Sequence, residues 1–184
     1  LPMIELAAVD PAVRRAALAA ELPACQGVLF PSRFAVRCFM ETLLEDGDAR
    51  QLAGKRLLAV GPATEAALRD CGVRALAPRL AGAFGGRYLY PCSDAAPQVA
   101  RIRALAEQGI ALCPAVFYRN SPTMKCALPR LPFDRVLFTS STTVRAYFER
   151  YPEERAASRI WLAVGPSTAE ALTEQELPAE IIPS

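Results

Sequence analysis

Val28-Leu29-Phe30-Pro31-Ser32 is the most informative stretch for the architecture, because a close copy of it stands in the second half of the chain as Val136-Leu137-Phe138-Thr139-Ser140. Each copy continues in the same way, with Ala35-Val36-Arg37 after the first and Thr143-Val144-Arg145 after the second. The offset between the copies is 136 − 28 = 108 residues. Self-similarity at a fixed offset indicates a duplicated structural unit.

A second pair of blocks supports the duplication. Leu58-Ala59-Val60-Gly61-Pro62-Ala63-Thr64 matches Leu162-Ala163-Val164-Gly165-Pro166-Ser167-Thr168, at an offset of 168 − 64 = 104 residues. The change in offset corresponds to a shorter loop between the two blocks of the second copy. Two blocks that recur in the same order indicate that a whole unit is repeated, because a single matching motif could arise by chance.

Each block combines a short apolar run with a helical pattern. Runs such as Val28–Phe30 are too short for a helix and rich in β formers, so they predict buried strands. Ser32 and the Gly-Pro turns then predict helix starts. Strands are predicted at 28–30, 57–60, 135–138 and 160–164, and helices at 32–40, 63–69, 142–150 and 167–175. This alternation predicts an α/β fold of two similar lobes, each a parallel sheet flanked by helices.

The repeat also predicts the domain organisation. A weaker match between Leu112–Phe117 and Leu1–Leu6 indicates two extended connectors that join the lobes. We therefore expect a connector at 1–9, a complete α/β lobe at 10–111, a second connector at 112–119 and a partial lobe at 120–184. The complete lobe contains a strand at Tyr88–Ser93 and a helical stretch at Gln98–Gln108 that the second copy lacks. We expect the corresponding strand and helix to lie upstream of Leu1.

Composition restricts the chemistry. The chain has 184 residues, 52% of them hydrophobic, and a net charge of +2, which is globular and gives no strong field for nucleic acid or a membrane surface. It contains no His, so a Ser-His-Asp triad, a Cys-His pair and an imidazole base are excluded. Six cysteines lie far apart without a CxxC pair, which argues against zinc and is typical of reduced thiols in a cytosolic protein.

The two Gly-Pro turns carry the sharpest candidates for a binding site. A strand, a glycine turn and a helix start leave free amide groups that bind anions with help from the helix dipole. The candidate residues are Gly61, Ala63 and Thr64 in the first copy and Gly165, Ser167 and Thr168 in the second. The competing interpretation is helix capping without a ligand, and the sequence leaves both open.

Three further turns follow strands and are rich in hydroxyl groups. Their candidates are Ser32 and Arg33, then Cys92 and Ser93, then Ser140, Ser141 and Thr142. The serines either cap helices or donate to a carboxylate of a ligand. No base stands beside Cys92 in the sequence, which favours a structural thiol over a nucleophile.

Tyr118 follows the apolar run Ala115–Phe117 and has two interpretations. It is either an ordinary amphipathic tyrosine at a strand end or a phenol that donates a proton to a ligand, and the local sequence favours the first.

The glycine-rich stretch Gly82–Gly86 does not follow the GxGxxG spacing, so it gives little support to a dinucleotide site.

These motifs together resemble the uroporphyrinogen-III synthase family. The resemblance rests on Val136–Val144 and Ala163–Leu172, and it extends over almost the whole chain through Leu89–Cys92, Gln108–Ile110 and Val116–Tyr118. It implies two α/β lobes around one cleft, joined by two connectors, with no metal or organic cofactor. The family usually has a strand and helix before the first connector and a last helix after the second lobe, and this chain lacks both.

The resemblance also implies a reaction. Linear hydroxymethylbilane loses its terminal hydroxyl as water, and ring closure through a spiro intermediate inverts the last pyrrole ring to give uroporphyrinogen III. Tyr118 matches the tyrosine proposed to help the hydroxyl leave, and Ser32, Thr64, Ser140, Ser167 and Thr168 match turns that line the cleft. The expected protein is a cytoplasmic monomer, or one arm of a fusion with another tetrapyrrole enzyme, that acts on this small molecule.

Two alternatives belong to other functional classes. A non-catalytic two-lobed module would keep the cleft, bind a tetrapyrrole and regulate a fused partner. A nucleotide-binding α/β protein would use the same turns for phosphate.

Overall fold

The computed structural model describes residues 3–76, 85–94, 105–107, 109–123, 127–128 and 132–182. The chain folds into two compact units. The large unit is Leu6–Asn120, and the small unit combines Leu1–Glu5 with Ser121–Ser184. Within the described ranges, no helix combines the length and the apolar character needed to cross a membrane.

A five-stranded sheet forms the centre of the large unit, with the strand order β1-β5-β4-β2-β3. The strand pairs β2–β3, β2–β4 and β4–β5 are all parallel. The strands are β1 (Ile4–Ala8), β2 (Gly27–Phe30), β3 (Arg56–Ala59), β4 (Gly86–Ser93) and β5 (Ile110–Pro122), and the helices are α1 (Pro11–Glu21), α2 (Arg33–Glu45) and α3 (Pro62–Asp70), with a 3₁₀ helix at Ala49–Leu52.

The interior strand β2 is buried on both faces. Val28 and Phe30 belong to a core cluster with residues of α1, α2 and α3, whereas Leu29 lies in a second cluster with residues of β3 and β4. This follows from the period of two along a strand, which turns successive side chains to opposite faces. A Cβ atom on Gly27 would lie 2.0 Å from the carbonyl oxygen of Arg56, so only glycine fits where β2 approaches β3.

The small unit contains a parallel three-stranded sheet with the order β6-β7-β8. Its core is aromatic: Phe138, Tyr147, Phe148 and Trp161 contact one another, with ring centroids 5.2 Å apart for Phe148 and Trp161. The elements are β6 (Arg135–Phe138), α4 (Ser141–Arg150), a 3₁₀ helix at Pro152–Ala156, β7 (Ile160–Ala163), α5 (Pro166–Thr173) and β8 (Ala179–Ile181).

The predicted α/β architecture with parallel sheets and flanking helices is confirmed, and the predicted strands and helices of both copies are present with shifts at their ends. The strand predicted to reach Val164 ends at Ala163, and the helix predicted to reach Gln175 ends at Thr173. Helix α1 and strand β8 were not predicted from the sequence. Most of the stretch Gln98–Gln108 lies outside the described residues.

Candidate functional site

The carboxyl ends of the large unit's strands bring the predicted turns together at one edge of its sheet. β2, β3 and β4 run parallel, and they lead into the turns at Ser32, Gly61 and Cys92-Ser93. β5 passes the same edge, where Tyr118 is the register partner of Ser93. In open α/β sheets, this edge is where ligands bind.

Tyr118 lies beside Ser32 at this edge. The Tyr118 hydroxyl and Ser32 Oγ are 3.4 Å apart, a long hydrogen bond. Ser32 caps α2, because its Oγ accepts from the amide of Ala35 at 3.1 Å. The Phe34 ring packs edge-on against Tyr118, with centroids 5.1 Å apart. The phenol is therefore held by a fixed hydroxyl on one side and an aromatic ring on the other.

Burial keeps the Tyr118 phenol protonated. The side chain is 7% exposed, and this desolvation raises the pKa of Tyr118 above its ordinary value, although the hydrogen bond to Ser32 acts in the opposite direction. Because the ordinary pKa of tyrosine is about 10, the group is a neutral hydroxyl at physiological pH. It can therefore donate a hydrogen bond or a proton.

The other turn residues of the large unit differ in their exposure. Arg33 and Ala63 are exposed, and Gly61 is half-buried. Thr64 is buried at 5% exposure, and its amide donates to the Gly61 carbonyl at 3.0 Å. The surface of this turn therefore consists of backbone and of the apolar side chains of Pro62 and Ala63, while the Thr64 side chain packs inward.

Cys92 is buried next to the half-buried Ser93. Its thiol donates to the carbonyl of Ala115 at 3.5 Å, and burial raises its pKa. Burial therefore keeps the thiol protonated and a poor nucleophile. This geometry agrees with the interpretation of Cys92 as a structural residue.

The small unit repeats the arrangement at the carboxyl edge of its own sheet. Ser140 caps α4, because its Oγ accepts from the amide of Thr143 at 3.3 Å, and Ser141 and Thr142 are half-buried at the start of that helix. Gly165 precedes α5, where Ser167 is exposed and Thr168 is only 3% exposed. As in the first copy, the threonine of the Gly-Pro turn faces inward.

A groove of about 380 Å³ in the small unit was not predicted. It extends along β6 and is lined by Arg135, Leu137, Thr139 and Thr143 among others. Thr139 and Thr143 flank the predicted turn at Ser140, which connects the groove to that turn. The sequence gives only a weak signal for this groove, because an apolar edge strand has the same residue pattern as a buried strand.

A group suited to metal ligation lies at the opposite, amino-terminal edge of the large unit's sheet. It consists of Glu21, Cys25 and Cys113, whose ligand atoms all lie within 4.8 Å of one another. This group was not predicted from the sequence, because its members are far apart along the chain.

Comparisons with known proteins agree on one family. The family model described as uroporphyrinogen-III synthase HemD matches residues 1–184. No protein with a curated description matches the chain. A mutant uroporphyrinogen III synthase from the extremely thermophilic bacterium Thermus thermophilus is 25% identical, with a TM-score of 0.68 over 97% of this chain and 79% of the other. The synthetase from Helicobacter pylori is 21% identical and shares the fold, with a TM-score of 0.69 over 98% of this chain and 84% of the other.

Proposed function

The chain belongs to the uroporphyrinogen-III synthase family and is a lyase that converts hydroxymethylbilane to uroporphyrinogen III, and on this premise we propose that Tyr118 and Ser32 assist the departure of the substrate's hydroxyl. The observation that carries the proposal is the contact between these two hydroxyl groups at the carboxyl edge of the large unit's sheet. It supplies a proton donor in a chain that has no histidine.

The reaction releases water, and Tyr118 acts on the bond that breaks. The electrons that expel the hydroxyl come from the pyrrole nitrogen, so the enzyme needs no strong nucleophile. The leaving oxygen accepts a hydrogen bond or proton from the Tyr118 phenol, which burial keeps protonated. Ser32, fixed by its bond from the Ala35 amide, then donates to the phenol oxygen and stabilises the negative charge that develops there.

The strand-end turns bind the carboxylates of the substrate. Helix starts offer amide donors and a positive dipole end, and α3 and α5 both begin with glycine caps that leave room for an anion. The exposed members, Arg33 and Ala63 in the large unit and Ser167 in the small unit, are accessible to substrate carboxylates. The candidate residues that complete these turns are Gly61, Thr64, Cys92, Ser93, Ser140, Ser141, Thr142, Gly165 and Thr168. The buried Thr64 and Thr168 act by shaping their turns.

We also propose a domain organisation of two similar lobes joined by two extended connectors. The connectors are 1–9 and 112–119, the complete lobe is 10–111, and 120–184 form a partial lobe. Support comes from the borders of the compact units, which fall within β1 and β5. The protein acts in the cytoplasm on its own or as one arm of a fusion, and the free thiols of Cys25, Cys38 and Cys92 support a reducing compartment.

Isomer analysis of the product tests this function. Freshly prepared hydroxymethylbilane is incubated with the protein, and the products are oxidised and separated into isomers I and III. We expect isomer III in proportion to enzyme. If only isomer I forms, at the rate seen without protein, the chain does not catalyse ring inversion. Binding of uroporphyrinogen without turnover would then identify a tetrapyrrole-binding module.

A further inference from the structure

We propose that Glu21, Cys25 and Cys113 form a binding site for a thiophilic divalent cation such as Zn²⁺ in the large unit. Two thiol sulfurs and a carboxylate oxygen lie within 4.8 Å of one another. Cys25 is 2% exposed, whereas Glu21 and Cys113 are half-buried. The fold thus brings together two cysteines that the sequence spacing gave no reason to pair.

The spacing of the three ligand atoms suits a metal ion. Zn²⁺ takes sulfur at about 2.3 Å and carboxylate oxygen at about 2.0–2.2 Å, so tetrahedral ligands stand roughly 3.4–3.8 Å apart. Closing from 4.8 Å or less to that distance requires only small side-chain rotations. A metal ion needs no close approach of the two Cα atoms, which a disulfide would require.

The backbone that carries Cys25 is fixed before any metal binds. The ammonium group of Lys55 donates to the carbonyls of Leu22 at 2.9 Å and of Cys25 at 2.6 Å. The amide of Gln26 donates to the Arg87 carbonyl at 2.8 Å, which attaches the same loop to β4. Held in this way, the loop keeps the Cys25 thiol in place, and little order must be gained on binding.

Arg87 supplies the charge balance. Arg87 is the register partner of Ala111, and Leu89 is the partner of Cys113, so Arg87 and Cys113 occupy the same face of the sheet. The Arg87 guanidinium donates to a Glu21 carboxylate oxygen at 2.7 Å. Two thiolates and a carboxylate exceed the charge of a divalent cation by one negative charge, which the guanidinium offsets. Arg87 also orients the carboxylate, as outer-shell partners of metal ligands do.

Solvent reaches this group through a groove of about 430 Å³ lined by Glu21, Arg87 and Cys113. A water molecule can therefore complete a four-coordinate site beside the three protein ligands. Cysteine binds metal ions as the thiolate, so binding releases thiol protons. We expect the affinity for the metal to increase as pH rises.

Titration of the reduced protein with Cd²⁺ tests the site through the ultraviolet charge-transfer band of cadmium thiolates. We expect the band to saturate at a single site. Cys113→Ser should remove most of its intensity and weaken binding at least tenfold, and Glu21→Gln should weaken binding about tenfold while keeping the band. Cys71→Ser is the matched control, because Cys71 is an exposed thiol of the same unit outside the group.

Two results would overturn the proposal. One is a reduced protein that shows no band, and the other is a Cys113→Ser variant that keeps the band and affinity of the unmodified chain. Circular dichroism of Cys113→Ser verifies that its fold is intact, and Cys25→Ser provides a second thiol variant. The readout is spectroscopic, so it is independent of whether the protein turns over hydroxymethylbilane.

Discussion

The hydroxyl of Tyr118 is the single atom on which the proposed chemistry depends most. It stands 3.4 Å from Ser32 Oγ, it is nearly excluded from solvent, and its pKa is raised by burial. In this environment it can assist a leaving hydroxyl without first being deprotonated. The substrate's pyrrole nitrogen supplies the electrons that expel the hydroxyl. We therefore expect the phenol to lower the activation barrier by less than a general acid usually does.

We predict that Tyr118→Phe lowers kcat about 10- to 100-fold, near the lower end of the range for general acid catalysis. The loss of a long hydrogen bond should cost about 1 kcal/mol of stability or less. Tyr88→Phe is the control, because it removes a buried phenol from the opposite edge of the same sheet. The measurement is the steady-state rate of isomer III formation. Unchanged rates in Tyr118→Phe would show that the phenol has no part in the mechanism.

Among the secondary-structure elements, the two duplicated helix starts are capped in the same way. Ser32 caps α2 and Ser140 caps α4, each by accepting from the amide three residues later. Ser32 has a further neighbour in Tyr118 of the same unit. The duplication therefore offers an internal comparison between a cap alone and a cap that also contacts the proposed proton donor.

We predict that Ser32→Ala and Ser140→Ala each destabilise the protein by about 0.5–2 kcal/mol, the usual cost of losing an N-cap. The two variants should differ in activity. Ser32→Ala should lower kcat several-fold, because the phenol loses its partner, whereas Ser140→Ala should act mainly on KM through the turn that it caps. Urea unfolding and steady-state kinetics provide the measurements, and equal kcat values in the two variants would contradict a role for Ser32 beside Tyr118.

The sequence predicted the elements that depend on local signals. The turns at Ser32 and Ser140 could be read from an apolar run followed by a capping residue. Helix α1 was missed although Asp10 caps it and Pro11 opens it, because its alanine-rich stretch has no counterpart in the repeat. Strand β8 has only three residues, which is too short for a pattern.

Contacts between distant segments could not be predicted in the same way. The pairing of Tyr118 with Ser32, and that of Cys25 with Cys113, depend on the strand order β5-β4-β2 of the finished sheet. Parallel strands are joined by crossovers of variable length, so local sequence patterns do not show which strands become neighbours in the sheet. The inward orientation of Thr64 and Thr168 also depends on packing. The sequence of a turn motif does not show whether its hydroxyl side chain faces the core or the solvent.

For the molecule as a whole, stability in acid should depend on a buried network in the small unit. Glu154 is 7% exposed, and it accepts from Arg159 at 3.0 Å and from the Tyr147 hydroxyl at 3.0 Å. The bonds from Arg159 hold the pKa of Glu154 below its ordinary value. A lowered carboxyl pKa stabilises the fold above the unfolded pKa, about 4.3, and this contribution disappears as pH falls through the folded value.

We predict that Glu154→Gln destabilises the small unit by about 1–3 kcal/mol at pH 7, as expected for hydrogen bonds to a charged group. The unmodified protein should lose stability as pH falls below about 4, whereas the variant should show a flatter profile because it lacks the titrating group. Trp161 is the only tryptophan of the chain and is buried beside Tyr147, so its fluorescence during urea unfolding reports on this unit. Glu153→Gln, which alters the exposed neighbouring carboxylate, is the matched control. Parallel pH profiles for the unmodified protein and Glu154→Gln would show that the network contributes nothing to acid stability.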